Sequence, residues 1–466
     1  MRDIFKRELL EQLTSFKFTA GLVIVLVLFG VSGAVFSQRY KNEVTEYRNV
    51  QQRWEQELAQ RKKLDDLPEQ DFQVLKVPLK TAFLASGGQD RLPNAYRFTI
   101  RIWGDQPATS RAFSRNAFIE SFQALDWSFL AGTAFSILGL VFVYDSVSGE
   151  KAHGTLKLLQ TYNLSRGSIL VGKLLANLAT LLVMLLAGIL LSLLLLALVG
   201  QIDLSAAEWG RAGLFFVYSA VYMTLFLCLG LLLSTVTHRP ASSMVLAVMV
   251  WAVSIVVLPG MGTLVIQQVR KLPTQNEVNE RSGKVWDIIN AEYKGDSSTW
   301  RGREMGKADN YQFEKVSTEA QNKRKRLQEA IWEDYLRQKF QQARIVRAIS
   351  SISPTSLFEY GAESLNGTGV LRDELLVRQG HQYRRTLEEW IRQRDLADPE
   401  SIHLYFQPGY LSLKPLEASS VPRYQFRESS LAEGLRDAVW RVMILSAETL
   451  VMGFGALLAF QRYDVR

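Results

Sequence analysis

Apolar and polar residues occur in long separate blocks along this chain of 466 residues. Six blocks are apolar over about the 20 residues that a helix needs to cross a bilayer. They are residues 18–37, 127–144, 169–199, 213–235, 241–265 and 438–460. The pattern predicts an α-helical integral membrane protein with six transmembrane helices, and an even number of crossings places both termini on one side.

Lysine and arginine in the short connections predict the orientation, because these residues are held on the cytoplasmic side during insertion. They occur in residues 1–17, 145–168, 236–240 and 461–466, whereas the 200–210 loop has neither. We therefore expect a cytoplasmic (inner) membrane protein with both termini in the cytoplasm. Residues 1–17 form a cytoplasmic amphipathic segment and residues 461–466 a cytoplasmic tail in this interpretation.

Two polar insertions, residues 38–126 and 266–437, are then expected to form two extracytoplasmic domains. The first begins with a run of helix formers that continues the first span, followed by FQVLKVPL and YRFTIRIW, whose alternation predicts two strands. The second shows helical spacing at residues 315–349 and 381–395, with the turn-rich stretch SPTSLFEYGAESLNGTG between them. We expect the first domain to be α+β and the second mainly α.

Composition narrows the functional classes. The net charge is +8, but basic residues alternate with acidic ones and gather at the ends of apolar runs, which favours a lipid surface over nucleic acid as a partner. The single cysteine, Cys228, cannot form an intrachain disulfide. The four histidines show no metal-ligand spacing, and no catalytic motif is evident. We expect no metal, no cofactor and no enzymatic activity in this chain.

Residues 167–174, GSILVGKL, have the glycine spacing of an ATP-binding P-loop. A P-loop requires Ser or Thr after its lysine to bind Mg²⁺, and this chain has Leu174 there. Bulky apolar residues separate the glycines, and about 25 uncharged residues follow, so phosphates could not be cradled. We expect Lys173 instead to extend its ammonium group to the lipid headgroups.

The preceding segment, residues 145–168, is too long for a simple turn. Its apolar residues and its polar residues suggest a short interfacial helix that offers a polar face to a cytoplasmic partner. The apolar positions are Leu156, Leu158, Leu159 and Leu164, and the polar ones are Glu150, Lys151 and Lys157.

The sequences SGEKAHGTLKLL and LSRGSILVGKLL resemble the coupling segment of permease subunits in the type-2 exporter class of ATP-binding-cassette transporters. The most recognisable element of that class is a Glu followed, after three residues, by Gly-Thr-Leu. In this chain the residues at these positions are Glu150, Gly154, Thr155 and Leu156. The Ser-Arg and Gly-Lys pairs that open the next span in that class correspond to Ser165, Arg166, Gly172 and Lys173. The large insertions, ISPTSLFEY, LNGTG and the RYDVR terminus resemble the branch of gliding-motility and nitrous-oxide-reductase-maturation permeases.

The resemblance implies a separate ATPase subunit, present in two copies, which binds ATP and Mg and receives the coupling segment in a surface groove. Glu150 would pair with a basic residue of the ATPase, and Gly154 would allow close helix approach. The candidate ATPase-coupling residues are Glu150, Lys151, Gly154, Thr155, Leu156 and Arg166.

Two charged residues in the sixth span are candidates for a translocation path. Glu448 lies near its middle, where an ionised carboxylate costs at least ~2.5 kcal/mol. It either faces a cavity or cation path or forms an interhelical hydrogen bond. Arg441 lies nearer the outer end, where its side chain is expected to extend to the membrane surface.

We interpret the chain as the permease half of an ATP-driven exporter, working as a homo- or heterodimer with ATPase subunits. One alternative keeps the ATPase but transmits mechanical work to an extracytoplasmic partner without moving cargo. A second is a membrane scaffold without an ATPase, which the coupling motif argues against.

Overall fold

A computed structural model describes residues 2–89, 92–101, 107–112, 125–154, 165–269, 271–293, 311–407 and 409–462. Within these residues, six helical segments are long and apolar enough to cross a membrane, which confirms the predicted helical membrane fold. A short N-terminal helix, α1 (Arg2–Leu13), precedes the first span, α2 (Phe16–Ala59). The second span combines Trp127–Phe129, the π-helical Leu130–Phe135 and α3 (Ser136–Val143), and α4 (Ser148–Ala152) follows it.

The other spans follow in chain order. They are α5 (Arg166–Leu195) with the π-helical Leu196–Gly200, α6 (Ala206–Val236), the series α7 (Pro240–Ala252), π-helical Val253–Val257 and α8 (Leu258–Val269), and finally α13 (Leu431–Arg462). Between α8 and α13 lie α9 (Gln275–Glu292), α10 (Tyr311–Ser350), α11 (Pro354–Asn366) and α12 (Val370–Leu396).

The first span continues well beyond its apolar part, as the sequence predicts. Helix α2 has 44 residues and begins at Ser15, whose side chain accepts a hydrogen bond from the Phe18 amide. At 1.5 Å per residue it is about 66 Å long, roughly twice the hydrocarbon thickness. One rigid element therefore joins the membrane bundle to the first insertion.

The first insertion contains a small antiparallel sheet. The two predicted strands are β1 (Phe72–Leu75) and β2 (Ala95–Phe98), and β2 also pairs with β3 (Ala108–Ser110), which the sequence analysis did not predict. Phe72 lies opposite Phe98 in the register, and their rings stack.

The stretch SPTSLFEYGAESLNGTG is helix α11, so its prediction as a turn-rich segment is wrong. Ser353 caps this helix by accepting a hydrogen bond from the Ser356 amide, Pro354 occupies its first turn, and Gly367 ends it with φ of 72°. Ser, Pro and Gly are turn formers, but they are also the preferred residues at helix ends. The residues between these two caps are largely buried.

Both insertions contribute to one hydrophobic core at the end of the bundle that we call the domain end. The core joins residues of the first insertion to residues of α12 and of the chain that follows it. Its largest members are Phe72, Tyr96, Phe98, Tyr383, Leu387, Ile391, Phe406 and Phe426. The packing joins the first insertion and the later part of the second into one structural unit, whereas Val285, Ile289 and Ala320 of α9 and α10 form a separate cluster.

Hydrogen bonds attach this unit to the spans and join its two insertions. The Trp127 amide, at the start of the second span, donates to the Phe83 carbonyl of the first insertion at 2.8 Å. The Asn366 side chain of α11 donates to the Thr81 and Ala85 carbonyls of the first insertion at 2.8 and 2.9 Å. Helix α11 lies against α6 and α13, and the Tyr218 hydroxyl of α6 donates to the Leu357 carbonyl at 2.8 Å. Movement of the spans relative to each other would therefore reach the domains through α11.

Candidate coupling site at the terminal end of the bundle

The opposite end of the bundle, which we call the terminal end, carries α1, α4, the start of α5 and the end of α13. The short helix α4 begins at Val147, whose side chain cannot cap a helix. Its first amides are satisfied from another span, because the buried Ser234 hydroxyl oxygen of α6 accepts from the Val147 and Ser148 amides at 3.1 and 3.0 Å. The fourth span thus supplies the N-terminal cap of the segment that carries the coupling motif.

Lys151 provides a second attachment of α4 to α6. Its ammonium group donates to the Thr235 carbonyl, and to the Thr237 carbonyl at 3.2 Å, at the end of α6. A positive charge is favourable at a helix C-terminus, where carbonyl groups lack helical partners. The predicted coupling residue Lys151 is therefore bound to its own chain.

Glu150 is likewise engaged within the chain. Its Oε1 atom lies 2.8 Å from the Lys173 ammonium of α5, and the ammonium also contacts Oε1 of Glu8 in α1 at 2.5 Å. Lys173 is 4% exposed, so the expectation that it extends to the lipid headgroups is wrong. The carboxylates of Glu8 and Glu150 compensate the charge of the buried ammonium group. Lipid headgroups are therefore not needed for that purpose.

Further contacts link the first and sixth spans to this end. Lys17 of α2 forms an ion pair with Asp145 at 2.7 Å. Arg166, at the start of α5, donates to the Gln461 carbonyl at 2.8 Å, near the end of α13. The predicted residue Arg166 therefore joins the third span to the sixth.

Gly154 ends the described part of the coupling segment. Its φ is 72°, a left-handed conformation that favours glycine, and no atom of the described residues lies within 4 Å of the position a Cβ would take. Among the described residues, the glycine is required for the turn of the backbone and not for close packing. The predicted residues Thr155 and Leu156, and the apolar positions up to Leu164, lie outside the described residues.

Residues 167–174 form helical turns of α5, which is capped by Ser165, and they do not form a phosphate-binding loop. Among the residues that the structure describes, no group of three or more His, Cys, Asp or Glu side chains could hold a metal ion.

The two candidates for a translocation path lie two helical turns apart on α13, about 10 Å along its axis. Arg441 is 6% exposed and donates to the Ser364 hydroxyl at 2.9 Å and to Asp437 at 3.0 Å, so its expected extension to the membrane surface is wrong. Glu448 is partly buried, and its Oε2 atom has no hydrogen-bond partner in the described part of the chain. A path along these residues stays a prediction.

The sequence did not identify three residues whose positions in the structure make them relevant to the two ends of the bundle. Ser234 and Glu8 belong to the terminal end, and Glu359 of α11 lies at the domain end with its Oε1 atom toward Gly132. Burial, together with the carboxylates of Asp126 and Glu363, raises the pKa of Glu359 to about 8. A serine in an apolar span and a glutamate in an amphipathic helix are both common, so the sequence held no signal for their partners.

The whole arrangement corresponds to a known family. The family model described as "ABC-2 family transporter protein" matches residues 2–465, so the chain belongs to the ABC-2 transporter family. It is a multi-pass membrane protein of a transporter permease family, a class that resides in the inner membrane.

Two curated relatives carry the name "Probable ABC transporter permease protein NosY". The one from Stutzerimonas stutzeri is 33% identical over 129 residues, which are 28% of this chain and 46% of the relative. The one from Pseudomonas aeruginosa strain PAO1 is 34% identical over 123 residues, 26% of this chain and 44% of the relative. The chain thus matches a little under half the length of these relatives, in support of the predicted NosY-like branch.

Proposed function

We propose that this chain couples ATP hydrolysis by a separate ATPase subunit to export of a substrate across the inner membrane. The observation that carries the proposal is the attachment of α4 to the bundle. Ser234 and Lys151 join this five-residue helix to the fourth span, and Glu150 joins it to the third. A displacement applied to the segment after Gly154 would be passed to the fourth span directly and would act on the third span through the Glu150–Lys173 contact.

The ATPase would act as the source of that displacement. Its groove would hold the coupling segment, and closure around ATP would move α4 with the ends of α5 and α6. The second span is continuous with the segment that leads into α4, and it contains the π-helical Leu130–Phe135. Irregular helical turns of this kind are frequent at functional sites, since they alter helix packing locally. In this proposal the cargo path opens between the spans, and the chain itself performs no chemistry.

The test is binding and ATP turnover of the cognate ATPase subunit with the full chain in lipid nanodiscs. We expect Glu150→Ala to weaken binding or to uncouple turnover. Gly154→Ala should do the same because its methyl group opposes the left-handed turn, whereas Gly154→Asn should be closer to wild type, since Asn tolerates φ near 72°. Unchanged binding and turnover in both Ala variants would refute coupling through this segment.

A second candidate function is transmission of mechanical work to an extracytoplasmic partner. It is favoured by α2, a continuous helix of 44 residues from the terminal end into the domains, and by the single core that both insertions share. A rigid lever of this kind moves a domain even when no cargo crosses.

The two functions differ in what an interruption of α2 does. Asn42 is exposed on α2 beyond the apolar part, so Asn42→Pro would break the helix there and Asn42→Ala would leave it intact. Force transmission predicts an ATP-dependent change in amide hydrogen exchange of α12 that Asn42→Pro abolishes and Asn42→Ala preserves. Substrate export unaffected by Asn42→Pro, with no such exchange signal in wild type, would favour the exporter.

A further inference from the structure

One ammonium group at the terminal end is shared between two carboxylates of different elements. Lys173 lies in the third turn of α5 with a side chain that is 5% exposed, and it contacts Glu8 of α1 and Glu150 of α4. The Glu8 and Glu150 side chains are 17% and 18% exposed. Three charged groups from three elements therefore meet in a nearly closed space.

The charges in this group do not balance. Two carboxylates and one ammonium leave one negative charge in excess, and Glu11 of α1 adds a further repulsion on Glu150. Removal of the sole partner of a buried charge is strongly unfavourable, because the remaining charge stays desolvated and uncompensated. With two carboxylates present, either one can withdraw while Lys173 keeps a partner.

The two carboxylates stand on very different supports. Glu8 belongs to α1, a helix of 12 residues that packs along α5. Glu150 belongs to α4, a helix of five residues that ends at the left-handed turn of Gly154. Glu150 therefore lies four residues from the start of the segment that would receive the ATPase, whereas Glu8 lies on a helix packed along α5, so Glu150 is the carboxylate placed to change partner.

We propose that Glu8 and Lys173 are positioning residues for ATPase coupling, and that Glu8 retains the Lys173 ammonium while Glu150 exchanges from Lys173 to a basic group of the ATPase. The inference rests on the proposed coupling function. The observed pairing of Glu150 with Lys173 and its predicted pairing with the ATPase are then two states of the same carboxylate. Glu8 of α1 then keeps the Lys173 charge compensated during the exchange.

Three other cations at this end are occupied elsewhere. Lys17 pairs with Asp145 at 2.7 Å, and Lys151 donates to the carbonyl groups at the end of α6. Arg166 donates to the Gln461 carbonyl. Among the described residues, Lys173 is the cation placed between α1 and α4.

The experiment measures the affinity of the cognate ATPase subunit for the full chain in nanodiscs. In Glu8→Gln, release of Glu150 would leave Lys173 without a carboxylate, so we expect binding to weaken by about tenfold or more. Glu11→Gln is the matched control, because it makes the same chemical change on an exposed position of α1 that has no contact with Lys173. It removes a repulsion on Glu150 and leaves Lys173 its partner Glu8, so it should bind no more weakly than wild type.

A double variant separates this role from a purely structural one. Glu8→Gln with Lys173→Met removes the ammonium that Glu8 must hold, so the affinity should return most of the way to that of wild type. A merely structural loss would grow with the second substitution. The thermal midpoint of each variant in the same nanodiscs shows whether the chain remains folded.

The outcomes distinguish the inference from the function on which it rests. Equal binding by Glu8→Gln and Glu11→Gln, while Glu150→Ala still weakens binding, would overturn the exchange and leave the coupling function standing. Failure of the double variant to recover affinity would also overturn the exchange. Unchanged binding and turnover in both Glu150→Ala and Gly154→Ala would remove the coupling function itself.

Discussion

The cap that Ser234 provides for α4 gives a sharp prediction for Ser234→Ala. The hydroxyl is fully buried and accepts two backbone amides of another segment, those of Val147 and Ser148. Alanine would leave both donors unsatisfied, and each buried orphan donor costs about 1–3 kcal/mol. For two donors we expect a loss of about 2–6 kcal/mol in total, concentrated at the start of the predicted coupling segment.

Ser219→Ala is the matched control in the same helix. Ser219 is also fully buried, but its hydroxyl donates to the Phe215 carbonyl one turn earlier, which α6 already uses. A local bond of this kind contributes little, so the control should cost less than about 1 kcal/mol.

The assay is the thermal unfolding midpoint of the full chain in nanodiscs, followed by ATPase affinity of the same samples. Ser234→Ala should lower the midpoint clearly more than Ser219→Ala, and it should also weaken ATPase binding because α4 loses its fixed start. Equal midpoints and equal affinities for the two variants would show that α4 does not depend on the fourth span. The proposed path of displacement would then lose its first step.

Two further predictions concern the domain end. Lys325 donates to the Ile100 carbonyl at 2.9 Å, and burial lowers its pKa from 10.5 to about 8, so Lys325→Met should remove a pH dependence. The folded state binds fewer protons than the unfolded state between those values, so wild-type stability should rise from pH 8 to 10.5 by up to about 3 kcal/mol relative to the variant. Gly434→Ala would place a methyl carbon 2.5 Å from the Ser364 carbonyl oxygen, which should cost about 1–3 kcal/mol, whereas Gly283→Ala meets open space and should stabilise α9 slightly.

Denaturant titrations of the full chain between pH 7.5 and 10 check the lysine, and parallel stability curves for wild type and Lys325→Met would contradict its assignment. Thermal midpoints check the glycines, and a Gly434→Ala variant at least as stable as Gly283→Ala would contradict the close approach of α13 to α11.

The segment around α11 shows where local patterns stop being informative. Ser353, Pro354 and Gly367 are favourable both in a turn and at the two ends of a helix. Whether a helix forms depends on whether the residues between them can pack their apolar side chains against other elements. Helix α11 forms because α6 and α13 offer it an apolar surface, with Phe358 against Tyr222. Neither surface is a neighbour of α11 in the sequence.

In the candidate site, too, the sequence identifies residues but not the distant residues that they contact. The motif predicts Glu150 and Lys151 as coupling residues from residue order alone, and the structure adds that Glu150 contacts the third span and Lys151 the fourth. Lys173 illustrates the difference best. A lysine at the end of an apolar run usually reaches the headgroups, but here two carboxylates from α1 and α4 come close enough to hold it.

The sequence by itself determined the six spans, the helical extension of the first span, two of the strands and the family motif. These features depend on apolar length, helix propensity and residue spacing, which are properties of contiguous residues. The tertiary structure decided the common core of the two insertions, the cap from Ser234 and the shared ammonium of Lys173. Each of these joins groups far apart in the chain, and their energies come from burial and charge compensation that exist when the spans are packed together.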